Sequence, residues 1–595
     1  MRYPSFIDGS NELSSVIADA SRTINLMPEI VGQSGKSNAI LVNRPGLSLF
    51  TEVVSGSSVR ALFNGDLVGD PDYFYCVVDD NLYKITVDGG SAELINDLLE
   101  SPSKSPSNSP SESPSKSPSA SPSASPSTGE SPSESPSISP STSPSLSPSL
   151  SPSESPSESP SLSPSASESP SLSPSASESP SKSPSLSPSE SPSLSPSASA
   201  SASLSPSISP SASPSEEVAA SIDAPIRYAT GGTGADTLII NGGIAYSLIS
   251  GELSMIAALN GITCLDCAYI GGYWIVITDD YRFFRSNVGD ITTWGGTYYD
   301  YPDPQPEPLV GVIQSQGQLW FFGESRTNVW ILDDTNTLGL SRLTNISVEY
   351  GLWSNATLHI FDNAIGWLAR MKSGVGRVVL ARNYAPEKIS SIYVDNIISD
   401  NRVNLEAAYG YVTEEKGHEI YHLSIPGADT TMCYDASTQR WHERSYWTGS
   451  DDSLHLGKVH LSKEGRHFIG ARNSGKIYHS NNSVYTDEGS NTRFLRRAPH
   501  IHDEEKDLSY YKFQLDMEKG LAADGVNPQM YMRYSNNGSK TWSTAIGASM
   551  GETDDDLNTV RVEWNRLGSG RDYVFEVYTT ANQRQCWIDA YLDVR

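Results

Sequence analysis

A serine–proline tract between residues 101 and 215 limits what this chain can fold into more than any other feature. Of the 39 prolines in the sequence, 26 lie in this tract, and most recur at every fourth residue. Proline fixes φ and lacks a backbone N–H, so this spacing excludes both a helix and a central strand. The tract has no aromatic residue, and no buried core offsets the entropy of ordering it. We therefore predict a disordered insertion over residues 101–215, acting either as an inert spacer or as an adhesive or channel-filling loop.

Outside the tract, the chain is rich in tyrosine and poor in helical periodicity. Short β-branched and aromatic runs alternate with Gly, Asn and Asp turns, which is typical of antiparallel hairpins. Tyr73–Ile85 contains a turn at residues 79–81, and Gly272–Ser286 contains one at residues 279–280. Further turns are predicted at residues 241–243, 324–326, 373–374, 426–427, 435–438 and 473–475. With the tract left out, the main hairpins recur at roughly 40–50 residues, the period of a four-stranded propeller blade.

The predicted fold is therefore all-β, with a β-propeller of six to eight blades and a C-terminal β-sandwich. Strands of the sandwich are predicted at residues 510–516, 529–534, 559–564, 573–579 and 586–592. The predicted divisions are an N-terminal arm with strands that contribute to the sandwich (1–60), a first blade region (61–100), the Ser-Pro insertion (101–215), the remaining blades (216–505) and the C-terminal sandwich (506–595).

Charge and composition exclude several classes of protein. The formal net charge of −29 disfavours a sequence-independent grip on DNA phosphates, although duplex DNA can still pass along an acidic wall. No run of eighteen apolar residues occurs, so we expect no transmembrane helix and no membrane partner. Met1–Ser10 lacks the apolar segment of a classical signal peptide, and the five cysteines are too few for a disulfide scaffold.

Carboxylate pairs are the main candidates for chemistry. Asp79-Asp80, Asp279-Asp280 and Asp333-Asp334 all fall at predicted turns, where aspartate is favoured because it caps the turn through local hydrogen bonds. A glycosidase pair, which needs two carboxyl groups at a defined separation, is the alternative. Asp554–Asp556 is interpreted as an exposed acidic loop rather than a calcium site. The sequence has no HExxH, Walker, GxSxG or GxGxxG motif, so we predict no catalytic residue, cofactor or metal site.

Two other patterns favour structural roles. Cys264 and Cys267 have CxxC spacing, but no second ligand pair with zinc spacing follows, so buried inert thiols are expected.

Basic residues cluster in two places and are interpreted as solvated strand faces or subunit contacts, with DNA phosphate contact as the alternative. They are Arg493, Arg496 and Arg497, and then Arg561, Arg566 and Arg571.

Residues 535–542 resemble an Asp-box, the hairpin turn S-x-D-x-G-x-T-W. Ser535, Asn537, Thr541 and Trp542 occupy its positions, with asparagine where aspartate is usual and Ser539 where the glycine is usual. In such turns the polar side chains bond the backbone and the tryptophan packs beneath. We therefore predict a structural brace, although the same motif occurs in sialidases.

Four segments together resemble the packaged-DNA stabilisation proteins, or tail hub and nozzle proteins, of short-tailed bacteriophages. The segments are Ser21–Glu29 (SRTINLMPE), Leu41–Leu47 (LVNRPGL), Pro308–Leu332 and Trp564–Glu576. They are similar to the family's "NLYPE", "PGL", "lwlfG…iEvW" and "W.rLG..rd.vfe" runs, in the same order. Met27 stands where the family usually has tyrosine, and Asn328 stands where an acidic residue is common. The resemblance does not include the Ser-Pro tract.

The resemblance implies a structural protein of the virion tail, made in the host cytoplasm. Such proteins form a homohexameric ring below the portal and the tail adaptor. The ring extends the channel for double-stranded DNA, which passes through it without sequence-specific binding, retains the packaged genome and docks tail fibres or spikes. Two alternatives remain. A carbohydrate-binding or glycoside-cleaving propeller requires an axial pocket lined by carboxylates and tryptophan, and a cell-surface adhesin requires an export signal.

Overall fold

The computed structural model of the chain describes residues 1–3, 5–13, 15, 19–32, 37–64, 72–98, 226–232, 236–504, 506–553, 555 and 559–595. The predicted insertion at residues 101–215 lies outside the described residues. Five strands occupy the N-terminal region: β1 (Asn11–Glu12), β2 (Ala20–Ile24), β3 (Leu26–Ile30), β4 (Ala39–Asn43) and β5 (Gly46–Glu52).

The next strands form the blades of a β-propeller. Blade 1 contains β6 (Val59–Asn64), β7 (Tyr73–Val78), β8 (Asn81–Thr86) and β9 (Ala92–Asp97). Blade 2 contains β10 (Arg227–Gly231), β11 (Asp236–Asn241), β12 (Ile244–Ile249) and β13 (Glu252–Met255). Blade 3 contains β14 (Cys264–Ile270), β15 (Tyr273–Thr278), β16 (Phe283–Asn287) and β17 (Asp290–Asp300). Blade 4 contains β18 (Leu309–Ser315), β19 (Gln318–Gly323), β20 (Thr327–Leu332) and β21 (Leu340–Arg342).

Blade 5 contains β22 (Gly351–Leu352), β23 (His359–Phe361), β24 (Ala364–Arg370), β25 (Gly376–Arg382) and β26 (Ala385–Lys388). Blade 6 contains β27 (Tyr409–Glu415), β28 (His418–Ser424), β29 (Thr431–Asp435) and β30 (Arg440–Trp447), with β31 (Asp452–Leu454) paired to β30. Blade 7 contains β32 (Gly457–Lys463), β33 (Arg466–Ala471) and β34 (Lys476–Asn481). The helix α1 (Ile392–Asp400) and short 3-10 turns at Ala257–Leu259 and Arg402–Ala407 lie in connections between blades, and a further 3-10 turn at Asn355–Thr357 lies between β22 and β23 of blade 5.

The remaining strands are β35 (Thr486–Asp487), β36 (Ser490–Asn491), β37 (Phe494–Arg497), β38 (Ile501–His502), β39 (Leu508–Met517), β40 (Gln529–Ser535), β41 (Ile546–Ser549), β42 (Val562–Gly570), β43 (Asp572–Thr579) and β44 (Cys586–Val594). Strands β35 and β36 extend the blade 7 sheet beyond β5. The others form two sheets with the N-terminal strands, in the orders β3-β4-β44-β39-β42 and β2-β37-β43-β40-β41, with β38 paired to β43. A single aromatic-rich core, including Phe513, Phe575 and Trp587, lies between these sheets. This arrangement is a β-sandwich built from both ends of the described chain.

The described blades number seven, within the predicted range, and the fold prediction of a propeller with a sandwich is confirmed. One predicted turn in each blade closes the same hairpin, as between β7 and β8 in blade 1 and between β24 and β25 in blade 5. The predicted turn at residues 435–438 closes the next hairpin of blade 6, between β29 and β30. The sequence analysis missed the first hairpins. In blades 3 to 7 these turn through two residues that both have positive φ, as in a type I′ turn. The turns lie at residues 271–272, 316–317, 362–363, 416–417 and 464–465.

Neighbouring blades are held together by apolar side chains on their facing sheet surfaces. The Phe283 ring of blade 3 lies 4.8 Å from the Phe321 ring of blade 4, measured between centroids. Phe322 of blade 4 then meets Trp367 of blade 5 at 5.1 Å in an edge-on contact. Alternate residues of each strand therefore serve two different interblade cores, which explains strands that are buried on both faces.

The N-terminal strands close the propeller and join it to the sandwich. Strand β5 pairs antiparallel with β34, so the sheet of blade 7 inserts one early strand among late strands and continues beyond it into β35 and β36. Strand β2 pairs in parallel with β30 of blade 6 where Ile24 faces Glu443, and its other edge pairs with β37 of the sandwich. The sheet of blade 6 therefore continues directly into one sheet of the sandwich.

Buried ion pairs hold this junction. Both terminal nitrogens of Arg44 bond the Asp487 carboxylate, Nη1 at 2.9 Å, and the two side chains are almost completely buried. The Arg44 Nε donates to Asn25 Oδ1 at 2.7 Å, which fixes the guanidinium plane. Arg22 pairs with the buried Glu443 through Nε, at 3.1 Å to Oε1, and through Nη2.

Replacing Arg44 with methionine tests the contribution of this junction. R44M leaves Asp487 buried without its partner, so we expect the free energy of unfolding to fall by about 3–5 kcal/mol. The control R466M removes the exposed pair with Asp88 and is expected to cost less than about 1 kcal/mol. Urea denaturation followed by tryptophan fluorescence measures both variants. Equal stability of R44M and R466M would show that the Arg44 pair does not support the closure.

Candidate functional site

A large concavity in the described part of the chain lies on the propeller axis. Its volume is about 530 Å³, and the innermost segments of all seven blades contribute to its wall. Because the first strand of each blade forms an edge of its sheet, the axis is surrounded by sheet edges rather than by sheet faces. Propellers generally carry a channel at this position.

Arg227 and Asp266 form the best-defined polar contact of the axial wall. Arg227 Nε donates to Asp266 Oδ1 at 2.7 Å. The same carboxylate accepts from the backbone N–H groups of Cys267 at 2.8 Å and Val312 at 3.1 Å. Asp266 therefore connects the first strands of blades 2, 3 and 4. Burial raises the pKa of Asp266, and the guanidinium acts in the opposite direction.

A second polar contact connects blades 1 and 2. Arg60 Nη1 bonds Asp80 Oδ1 at 2.8 Å, and its Nη2 bonds Asn241 Oδ1 at the same distance. Asn241 Nδ2 donates in turn to Asp80 Oδ1 at 2.8 Å. Asp80 is thus a structural partner across the blade boundary.

The side chains that line the axial cavity include no aspartate, glutamate or tryptophan. They do include three basic residues, Arg60, Arg227 and Lys458. The carbohydrate-active alternative requires carboxylates and tryptophan at this place, and the described wall has neither. The sequence analysis missed these basic residues, although each lies at or near the start of a first strand, which an alignment of blade beginnings would have revealed.

The other predicted carboxylate pairs lie at turns, where they bond neighbouring residues. Asp280 accepts from Thr278 Oγ1 at 2.5 Å and from Arg282, whose hydrogen bond lowers the pKa of Asp280. Asp333 Oδ1 accepts from the backbone N–H of Thr335 at 3.0 Å and from its hydroxyl at 2.6 Å. Of the predicted acidic loop, only Asp555 is among the described residues.

The two cysteines of the CxxC pattern are buried and form no disulfide. Burial raises the pKa of Cys264 to about 12 and raises that of Cys267 well above its usual value, so both are thiols at neutral pH. Among the described residues, no group of three or more His, Cys, Asp or Glu side chains is arranged to hold a metal ion.

The prediction of a solvated strand face at Arg493, Arg496 and Arg497 is wrong. Arg496 is completely buried, and its guanidinium binds the carbonyl oxygens of Ser5 (2.9 Å), Phe6 (2.6 Å) and Gly9 (3.0 Å). Burial lowers the pKa of Arg496 to about 10. The prediction failed because the groups that bury Arg496 are distant in sequence: the N-terminal arm covers this strand and supplies neutral carbonyl acceptors. Arg561, Arg566 and Arg571 are exposed.

The Asp-box-like turn joins β40 to the segment before β41. Asn537 Oδ1 accepts from the backbone N–H of Thr541 at 3.0 Å and from Ser535 Oγ at 2.9 Å. Asn537 Nδ2 donates to Thr541 Oγ1 at 2.8 Å, and Ser539 N donates to Ser535 Oγ at 3.0 Å. The polar side chains therefore close the turn on itself.

Trp542 lies against two arginines that hold a buried carboxylate. The guanidiniums of Arg497 and Arg533 lie 5.1 Å and 4.9 Å from its ring centroid. Both also bond Glu576, at 2.8 Å and 2.6 Å. Burial opposes the charge of Glu576, but these two cations lower its pKa. The turn thus positions an aromatic cover over an ionic contact inside the sandwich.

Blade 6 contains a cluster of buried imidazoles that the sequence analysis did not identify. His422 stacks on Tyr411 at 4.3 Å, and the Tyr411 hydroxyl lies 3.1 Å from His455 Nδ1. Neither ring nitrogen of His442 has a hydrogen-bond partner among the described residues. Burial lowers the pKa values of all three histidines, and the cation of Arg444 adds to the effect.

None of the helices in the described part of the chain combines the length and apolar character that crossing a bilayer requires.

Residues 224–485 match the family model Phage_stabilise, described as Bacteriophage P22 Gp10, beta-propeller. The match begins before β10 and ends after β34, so it contains blades 2 to 6 and the three late strands of blade 7. It confirms the resemblance to the packaged-DNA stabilisation proteins of short-tailed bacteriophages. No curated protein sequence matches the chain.

Three solved structures show the range of similar chains. PorZ, a surface component of the type-IX secretion system of Porphyromonas gingivalis, has 10% identity and a TM-score of 0.33. That match covers 76% of this chain and 44% of PorZ, so the chain spans less than half of PorZ. YCF48 bound to a D1 peptide has 10% identity and a TM-score of 0.32, and the match covers 74% of this chain and 95% of YCF48. The WD40 β-propeller domain of Doa1 has 6% identity and a TM-score of 0.34, and the match covers 74% of this chain and 97% of that domain.

Substitutions at Asn537 test the turn. N537A removes the acceptor for the Thr541 N–H, and we expect the sandwich to lose about 1 kcal/mol of stability. N537D restores the acceptor that Asp-boxes normally carry and is expected to stay within about 0.5 kcal/mol of the unchanged protein. Thermal denaturation of the two variants measures the difference. A loss in N537D as large as that in N537A would contradict the role of the side-chain oxygen.

The buried histidines predict a loss of stability in acid. Their folded pKa values lie below the unfolded value near 6.5, so the unfolded chain binds more protons as the pH falls from 6.5. Each contributes up to about 1.4 kcal/mol per pH unit in that window. His418 acts in the opposite direction, because its hydrogen bond to Asp435 raises its pKa. The free energy of unfolding is therefore expected to be greatest above pH 6.5 and to decrease below it.

H442L isolates one of these protons, since His442 loses no hydrogen bond on substitution. We expect H442L to flatten the pH dependence between pH 6.5 and 5, and the exposed control H502Q to leave it unchanged. Urea midpoints across this range provide the measurement. Identical slopes in H442L and the unchanged protein would refute the assignment.

Proposed function

We propose that this chain is a structural protein of a phage virion, a tail nozzle or hub subunit that retains the packaged genome. The observation that carries the proposal is the match of residues 224–485 to the Phage_stabilise family model. The four sequence segments that resemble the family extend from Ser21 to Glu576 and include both ends of the sandwich. In this role the chain is made in the host cytoplasm and then becomes part of the tail.

The construction of the body supports a load-resisting role. The N-terminal strands connect blade 6, blade 7 and the sandwich, and buried ion pairs at Arg22 and Arg44 hold these strands. A genome-retaining plug experiences the pressure of packaged DNA, and local unfolding would open it. Strands shared between two domains make separate opening of either domain costly.

The charge of the chain supports a channel wall that does not hold DNA. The formal net charge is −29, and phosphate binding requires clustered cations. The basic cluster around Arg496 is buried or paired, as in Arg497 with Glu576, which leaves Arg561, Arg566 and Arg571 as the exposed cluster on an otherwise acidic chain. Duplex DNA would therefore slide past such a surface by repulsion, without sequence-specific binding.

A single propeller has no room for duplex DNA on its own axis, since the cavity there measures only about 530 Å³. The DNA channel must therefore lie between copies of the chain. We propose a homohexameric ring that docks on the tail adaptor below the portal and carries tail fibres or spikes on its outer surface. A non-enzymatic role agrees with the described site, where the acidic pairs serve turns and blade contacts.

The mass of the assembly tests this proposal. We expect light scattering coupled to size exclusion to give a mass of about six chains for the full protein mixed with a portal–adaptor complex. The protein alone and the protein mixed with portal lacking adaptor are the controls, and both are expected to give smaller species. A chain that remains monomeric and never joins the adaptor would overturn the proposal.

A further inference from the structure

We propose that the axial cavity of the propeller binds a small organic anion, with its carboxylate or phosphate group held by Arg227. This site is separate from the proposed tail role, because the DNA channel of that role lies between chains. Nothing in the inference requires a ring, an adaptor or DNA.

The Arg227 side chain is held in place, but not all of its hydrogen-bond donors are used. Its Nε is occupied by Asp266, and the carboxylate is fixed by two backbone N–H groups from neighbouring blades. Its two terminal nitrogens have no hydrogen-bond partner among the described residues, and the side chain keeps 19% of its surface exposed. An oriented guanidinium edge facing a cavity is the geometry that binds carboxylate or phosphate through two parallel hydrogen bonds.

The wall around this edge favours negative charge. Lys458 lines the same cavity and no carboxylate does, although the chain as a whole carries a formal charge of −29. Arg60 is also part of the wall, but its side chain is enclosed and bonded to Asp80 and Asn241. The partners of the two arginines, Asp80 and Asp266, lie behind the wall and are not part of the lining. A concave site with walls of one sign and low dielectric focuses the field on a ligand of the opposite sign.

The rest of the cavity suits an organic body rather than an inorganic ion alone. Its volume lies in the range of small-molecule sites, which are mostly apolar with a few polar groups. Ile313, Leu358 and Val459 supply apolar surface from three different blades. The Gln314 amide also lines the cavity and makes no hydrogen bond among the described residues, so it can donate to the ligand.

Benzoate, phenyl phosphate and the neutral benzamide test the site by isothermal titration calorimetry on the full chain. Benzamide has nearly the shape of benzoate without its charge. We expect at least one anion to bind at least ten-fold more tightly than benzamide. Tighter binding of phenyl phosphate assigns a phosphate ester, and tighter binding of benzoate assigns a carboxylate. Equal or absent binding of all three probes would overturn the proposal.

Variants separate the site from the fold. R227Q is expected to weaken anion binding at least ten-fold, while R466Q, which changes an exposed arginine–aspartate pair of blade 7, leaves it unchanged. R227Q also leaves Asp266 without its partner, so Q314E is the second test, because it adds a negative charge to the cavity and preserves that pair. Q314E is also expected to weaken binding of the anion at least ten-fold, and Q314L is its neutral control. Anion binding that survives both R227Q and Q314E would refute the site.

Discussion

Pairing of the early strand β5 with the late strand β34 is the contact on which the rest of the structure depends. Without it, blade 7 has three strands, and the ring of blades lacks closure between its first and last members. The adjoining strands β2 to β4 complete the sandwich, so a single N-terminal segment determines both domains. Arg44 secures this segment through Asp487, a residue more than four hundred positions away, where one charge without the other would be costly.

The axis of the propeller and its junction with the sandwich use the same physical device. In each, a buried carboxylate accepts hydrogen bonds from several elements, and one arginine balances its charge. Asp266 connects three blades in this way, and Glu443 connects the N-terminal arm to blade 6 through Ser10, Arg22 and Thr430. At the axis Arg227 retains free donors and 19% of its side chain is exposed, whereas at the junction Arg44 and Asp487 keep only 2% and 1% exposed. This difference separates a site that can take a ligand from one that only holds the fold.

Local features were predictable from the sequence, and distant contacts were not. Turns such as Asp279-Asp280 can be predicted because they contain residues that favour turns, and one hairpin in each blade was therefore predicted. The type I′ turns of the first hairpins have a less uniform signal, with two glycines at Gly271-Gly272, one at Gln316-Gly317 and none at Asp362-Asn363. Arg496 was expected on a surface because its neighbours in sequence are basic, but the carbonyl groups that bury it come from residues 5–9. Arg227 was overlooked because seven separated segments form its cavity.

Retention of the genome is the property that tests the account most directly. Particles of the phage that encodes this chain can be assembled with and without it, treated with nuclease, and assayed for protected DNA. The account predicts full-length protected genomes in complete particles, their loss in particles that lack the chain, and recovery when the chain is supplied in trans. Equal protection in particles with and without the chain would contradict the central claim.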